Sequence, residues 1–319
     1  MAYLQALKRQ QAFDHKTPSI FQMASISTRF LIISDTHDFQ FGNAEKCGGP
    51  FRQPVPKVDV LLHCGDLTQY GGIPAYQGVL RMLGSIDAEL KLVIAGNHDM
   101  DLDSPEHDIP EDHEEHAKAV ELMTGPLAEK AGVTYLHEGL NTFTLKNGAK
   151  FTIYSSPYQP EFCDMAFPYK RTEDRFNPPE HVAKNVNPIA INPIPDFPGV
   201  DIMMTHGPPK GILDMVVHGS VGCEALLRAV SRARPRLYCF GHIHEGHGAE
   251  VITWKDDKTI IGADAVENQS LQRNDYPEPS RYPISFGKET LMVNAAIMNV
   301  NYRPLNAPWL VDLDLPLSD

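Results

Sequence analysis

The chain has 319 residues and carries 28 Lys+Arg against 41 Asp+Glu, a formal net charge of −13. That acidic balance argues against binding along a nucleic-acid backbone, which relies on basic surface and counterion release. At 42% hydrophobic and 22% charged residues the composition is that of a folded globular chain, and apolar runs such as Phe30–Ile33 are far too short for a bilayer.

Residues 1–28 show neither the apolar core nor the small-residue cleavage site of a secretory signal. They are expected to form a peripheral arm ahead of a single domain, 29–319. The five cysteines (Cys47, Cys64, Cys163, Cys223 and Cys239) are odd in number, widely spaced and without a CxxC pair. Reduced thiols in a cytoplasmic protein are the reading that fits.

In chain order, apolar runs recur that stop at polar, ligand-type residues. Arg29–Ile33 leads into Ser-Asp35-Thr-His37, Val58–Leu62 into His-Cys-Gly65-Asp66, and Lys91–Ile94 into Ala-Gly96-Asn97-His98-Asp99. Helical spacing predicts helices over Pro74–Leu83, His113–Met123 and Pro126–Lys130. Val133–Leu136, Thr142–Leu145 and Lys150–Tyr154, divided by Gly139 and Asn147-Gly148, predict an antiparallel section. Residues 157–198 hold nine of the 26 prolines with several aromatics, which predicts a long irregular cover. Val200–Met204 then runs into Thr205-His206, a helix follows over Cys223–Val230, and Arg236–Phe240 runs into Gly241-His242-Ile-His244. Near-continuous apolar strands alternating with helices predict a layered α/β/β/α sandwich of mixed sheets.

The five strand ends supply Asp35, His37, Asp66, Asn97, His98, His206, His242 and His244. Functional groups of open α/β sheets collect beyond the carboxyl ends of strands. Carboxylate, imidazole and amide oxygen without thiolate suit divalent ions of the Mn²⁺, Fe²⁺, Zn²⁺ or Mg²⁺ type. Seven ligand candidates exceed the three or four of one tetrahedral zinc, and they fit two ions sharing a carboxylate. Other features read more plainly. His15, His63, His137, His181 and His218 are given no role, the stretch Asp101–His116 with His107 and His113 reads as a solvated acidic loop, and Glu245 and His247 stay open.

The ordered blocks Asp35-x-His37, Gly65-Asp66, Gly96-Asn97-His98-Asp99, Thr205-His206 and Gly241-His242-x-His244 resemble the calcineurin-like metallophosphoesterases. Tyr154–Phe162, Phe240–Gly248 and Val293–Ala296 resemble the metallophosphoesterase domain-containing branch within them. The resemblance implies that Asp35, His37 and His244 bind one metal, that Asn97, His206 and His242 bind a second, and that Asp66 bridges them. His98 would assist the leaving group. Gln69 occupies the place where purple acid phosphatases carry a metal-binding tyrosine, so no tyrosinate–iron chromophore is expected. The function implied is hydrolysis of a small phosphodiester or phosphomonoester by a metal-bound hydroxide. A cyclic nucleotide is one candidate substrate and Mn²⁺ the first candidate metal. A phosphoprotein, a long nucleic acid and a membrane are not expected partners. A nuclease, a metal-dependent binding scaffold and a dinuclear centre with non-phosphate chemistry are the alternatives.

Overall fold

The computed structural model describes residues 24–42, 49–105 and 109–318. The expected N-terminal arm up to residue 23, together with Cys47, His15 and His107, lies outside them. The first strand, β1 (Ser25–Ile33), starts four residues before the boundary placed at 29, because Ser25–Thr28 pair antiparallel with the end of the chain. Then follow β2 (Val58–His63), α1 (Ile73–Gly84), β3 (Ala88–Val93), α2 (Pro110–Thr124), α3 (Pro126–Ala131), β4 (Val133–Tyr135), β5 (Gly139–Thr144) and β6 (Lys150–Ser156). The second half holds β7 (Ile202–Thr205), α4 (Glu224–Ala233), β8 (Leu237–Phe240), β9 (Gly248–Trp254), β10 (Val266–Gln272), β11 (Ser280–Arg281), β12 (Glu289–Asn294) and β13 (Trp309–Pro316).

Two mixed sheets result. The six-stranded one runs β11-β13-β1-β2-β3-β4 and the seven-stranded one β10-β9-β12-β8-β7-β6-β5. Alternate side chains of the central strands explain why both faces are apolar. Leu31, Ile33 and Leu61 pack under α1–α3, whereas Phe30, Ile32, Val60 and Leu62 face Ile153, Ile202, Met204 and Leu237 of the other sheet. Met203, Tyr238 and Phe240 turn outward to α4. The chain is thus an α/β/β/α sandwich with three apolar layers.

One local expectation fails. Val133–Tyr135 is not part of an antiparallel section: β4 pairs parallel with β3 at the edge of the first sheet, because α2 and α3 form a crossover that returns the chain in the same direction. Only β5 and β6 form the antiparallel hairpin, with Gly148 at φ 89° in its turn. Within 157–198 regular structure is confined to two-residue pairs, Gln159–Pro160 with Pro168–Tyr169 and Glu173–Asp174 with Asn187–Pro188, and a 3₁₀ turn at Pro179–His181. This segment is tied to the strand ends, since Ala166 N–H donates to Asn97 O at 3.1 Å. Arg175 lies over the Tyr158 ring while forking onto Glu138.

Ile32 is fully buried between the sheets. Ile32→Ala should lower the midpoint of urea unfolding by an amount equal to about 2–5 kcal/mol, with the slope unchanged. A loss near zero would mean that this layer is not the core it resembles.

Candidate metal centre

All eight residues singled out from the strand ends meet at one rim. Asp35 and His37 follow β1, Asp66 follows β2, Asn97 and His98 follow β3, His206 follows β7, and His242 and His244 follow β8. Sharp backbone turns re-aim them. Asp35 (φ 53°), His37 (φ 40°), Asp66 (φ 51°) and His242 (φ 65°) all adopt the left-handed conformation that side-chain-bearing residues avoid. Two glycines permit the close approach. A Cβ on Gly96 would lie 2.3 Å from Asp66 Oδ1, and one on Gly241 would lie 2.0 Å from Asp35 Oδ2.

Hydrogen bonds fix the imidazole tautomers. Backbone carbonyls can only accept, so the Nδ1 beside each must carry the proton. His37 Nδ1 donates to Thr68 O (3.2 Å), His98 Nδ1 to Gln69 O (2.7 Å), His206 Nδ1 to Cys64 O (2.9 Å) and His244 Nδ1 to Asn299 O (3.1 Å). Four Nε2 atoms are thereby turned toward the same space. There His37 Nε2 faces His244 Nε2 at 3.3 Å, His206 Nε2 lies 2.9 Å from Asn97 Oδ1 and 3.3 Å from Asp66 Oδ1, and His244 Nε2 lies 3.3 Å from Asp35 Oδ1. Three groups have ligand atoms all within 4.8 Å of one another: Asp35–His37–His244, His37–Asp66–His98 and Asp66–His206–His242. Asp66 and His37 each belong to two of them.

The electrostatics follow from burial. Burial opposes the charge on Asp66, yet His206 and His37 beside it hold it ionised, well below the usual carboxylate range. Asp35 is likewise penalised by burial but held down at about 2 by His244. His206 is pushed up to about 9, the contact with Asp66 outweighing desolvation. His37 and His242 are driven down to about 4, mainly by burial, and so are neutral at pH 7. Two acceptor nitrogens 3.3 Å apart, each with its other nitrogen committed to a carbonyl, require a proton or a cation between them. The donor set fits a divalent ion of the borderline type.

Several residues outside those eight support the site. Asp99 accepts from Gly96 N, Leu67 N, Thr68 N and Thr68 Oγ1 at 2.8–3.1 Å, clamping the loops that bear Asp66 and Asn97. Burial, with Asp66 nearby, raises it to about 7. His63, expected to be inert, is fully buried beneath the site, and its Nε2 lies 3.0 Å from Thr36 Oγ1, between Asp35 and His37. Asn299 and Tyr302 come from the C-terminal part of the chain, where no motif announced them. By contrast His247 donates to Ala307 O at 2.8 Å and packs on Trp309, a structural role, and Glu245 stands at the cavity rim. His116 donates to Asp101 O, and the acidic stretch around it forms no ligand cluster among the described residues.

Residues 28–246 match the calcineurin-like phosphoesterase family. The chain belongs to that family. It is 32% identical over 308 residues to human Metallophosphoesterase domain-containing protein 1, with 91% of this chain and 72% of that protein covered. A match at 31% identity covers 71% of this chain but only 18% of Probable rhamnogalacturonate lyase C of Emericella nidulans. Among solved structures, the Phosphopantetheinyl Hydrolase from Mycobacterium tuberculosis is similar at a TM-score of 0.41 and 16% identity, with 90% of this chain and 96% of that one covered. Calcineurin-like phosphoesterases are metal-dependent hydrolases of phosphoesters, and the clustered donors provide this member with the means to bind divalent ions. No helix among the described residues is long and apolar enough to cross a membrane.

Because His206 stays protonated up to about pH 9 beside Asp66, a cation entering the site at pH 7 must displace that proton. Mn²⁺ added to chelator-treated protein should release protons, read as a titration heat that scales with the ionisation enthalpy of the buffer. Apparent affinity should climb from pH 7 toward pH 9. Asp66→Asn removes the charge that raises His206 and should shrink both effects; identical heats in all buffers would contradict the assignment.

Proposed function

We propose that this calcineurin-like phosphoesterase is a two-metal hydrolase of small phosphodiesters. Asp35, His37 and His244 would hold one cation and Asn97, His206 and His242 the other, with Asp66 shared between them. The observation that supports this most is the convergence of the Nε2 atoms of His37, His206 and His244 on two buried carboxylates, each ring locked by a carbonyl behind it. Paired divalent ions, when bound, offset phosphoryl charge and give water a nucleophilic character near neutral pH. Mn²⁺ is the first candidate, with Fe²⁺, Zn²⁺ and Mg²⁺ tolerated by the same donors.

His98 is the proton donor in this reading. Its Nδ1–H is spent on Gln69 O and its backbone N–H on Asp66 Oδ1 at 2.9 Å, so the ring is fixed with Nε2 toward the substrate space. A proton held at that atom would pass to the departing alkoxide.

The cavity over the centre, of about 400 Å³, favours a diester over a monoester. Its lining includes Glu161 and Glu245, with Arg171 the one Lys or Arg among the described lining residues. Arg171 already donates to Val221 O at 2.8 Å. A monoester brings up to two negative charges and a diester one, so this carboxylate-bearing rim penalises the monoester more. A cyclic nucleotide fits the volume and charge, whereas the acidic chain disfavours a long nucleic acid. The free thiols Cys64, Cys163, Cys223 and Cys239 agree with a cytoplasmic setting.

His98→Ala should retain both metals by elemental analysis and lose about 10²–10⁴-fold in turnover of an alkoxide-leaving diester. Unchanged turnover would remove the proton-donor role. In a panel assayed with Mn²⁺ and with chelator, small diesters should outpace monoesters. Cleavage of single-stranded DNA alone would mark a nuclease, and no turnover with metals bound would mark a binding scaffold.

A further inference from the structure

The C-terminal segment beyond the family match completes the site from outside. After β12 the chain runs alongside the end of β1, with Ser34 N–H donating to Ala295 O (2.9 Å) and Ile297 N–H to Ser34 O (3.0 Å). It then makes a tight turn in which Asn299 Oδ1 accepts from the N–H groups of Asn301 and Arg303, both at 3.0 Å. Asn299 O receives both the Tyr302 N–H (2.9 Å) and His244 Nδ1–H (3.1 Å), so one carbonyl fixes a site imidazole and the backbone of Tyr302 together. Tyr302 is held in the left-handed conformation (φ 54°), one that a tyrosine adopts at a cost. That backbone places its ring steeply against three site histidines, with centroids 4.8 Å from His37, 5.2 Å from His244 and 6.1 Å from His98. The ring nonetheless stays 42% exposed and lines the cavity.

A second ring stands on the side of the other ligand group. Phe162, 62% exposed, lines the same cavity with its centroid 6.5 Å from His242 and its plane at 83° to that imidazole. Exposing two large aromatic faces beside a strongly polar centre is unfavourable unless something apolar covers them. Val300, also exposed, extends the apolar wall on the Tyr302 side.

We infer that Tyr302 is a specificity-determining residue that packs, opposite Phe162, against a planar unsaturated ring borne by the ester group of the substrate. This inference rests on the phosphoester reading above and adds the chemical class of the organic group. Aromatic pairs contribute enough beyond simple burial to change affinity by about two- to tenfold. The phosphoryl end is held by other residues, so removing the ring should act on the organic group alone.

The test is calorimetric binding of phenylphosphonate and methylphosphonate, each as its monomethyl ester and so singly charged like a diester, to the full chain loaded with Mn²⁺. The wild-type protein should bind phenylphosphonate more tightly than methylphosphonate. Tyr302→Leu should weaken phenylphosphonate by about tenfold and leave methylphosphonate unchanged, while Tyr302→Phe stays close to wild type. Equal weakening of both ligands in Tyr302→Leu would reassign the residue to shaping the site and overturn the inference. So would a wild-type protein with no preference for the phenyl ligand, a result that stands even if the leucine variant does not fold. Binding of neither phosphonate would overturn the phosphoester reading and this inference with it. Binding of methylphosphonate without a phenyl preference would overturn only the inference.

Discussion

The structure depends on imidazole Nδ1–H groups held by backbone carbonyls. Thr68, Gln69, Cys64 and Asn299 each present a carbonyl oxygen to one ring, and each bond turns an Nε2 atom toward the space around Asp35 and Asp66. Backbone carbonyls in packed loops neither ionise nor rotate freely, so the orientation is set before any cation arrives. Without them the rings would lose the single tautomer that lets two carboxylates, an amide oxygen and several nitrogens converge.

Such convergence is unfavourable in isolation, and the rest of the fold supplies the compensation. Left-handed backbone at Asp35, His37, Asp66 and His242 stores strain of order 1–3 kcal/mol per residue. Asp99 opposes it by accepting four hydrogen bonds from the two loops that must stay together, and Thr36, bonded to His63 and to Leu67 O, anchors the loop between Asp35 and His37 from below. The buried carboxylates remain charged because His206 lies against Asp66 and His244 against Asp35, so two negative charges already stand in place to offset an entering cation.

Most of the rim was legible in the sequence because a strand buried on both faces is an apolar run, and the run stops where ligand-type residues begin. Asp35, Asp66, Asn97, His206 and His242 sit within a few residues of such stops, so sequence order alone located them. Strand direction was not legible for Val133–Tyr135, since three residues carry no record of which neighbour they pair with. The start of β1 at Ser25 was hidden for a related reason. Its partner, β13, lies almost three hundred residues away, and the mostly polar Ser25–Arg29 stretch turns only Ile26 and Thr28 inward. His63 read as an isolated histidine because its task is to support a threonine rather than to face the centre. Asn299 and Tyr302 follow the last metal-ligand motif by more than fifty residues and are brought in by the pairing of β12 with β8 and by the bonds of Ala295 and Ile297 to Ser34.

The site belongs to the seam and to neither sheet. The first sheet delivers Asp35, His37, Asp66, Asn97 and His98, and the second delivers His206, His242 and His244. Contacts cross from one to the other at every level: His206 reaches Cys64 O, the His242 N–H reaches both oxygens of Asp35, and the Gly241 position admits Asp35 only because it lacks a side chain. Spacing between the sheets is set by the apolar layer of Ile32, Leu62, Met204 and Cys239, all without solvent contact. A close-packed layer transmits strain instead of absorbing it, so a change of volume there alters the distance between the two halves of the ligand set. Core packing and metal geometry are therefore coupled through that layer, and the fully buried thiols of Cys64 and Cys239 lie within it, a few residues before Asp66 and His242 in the chain.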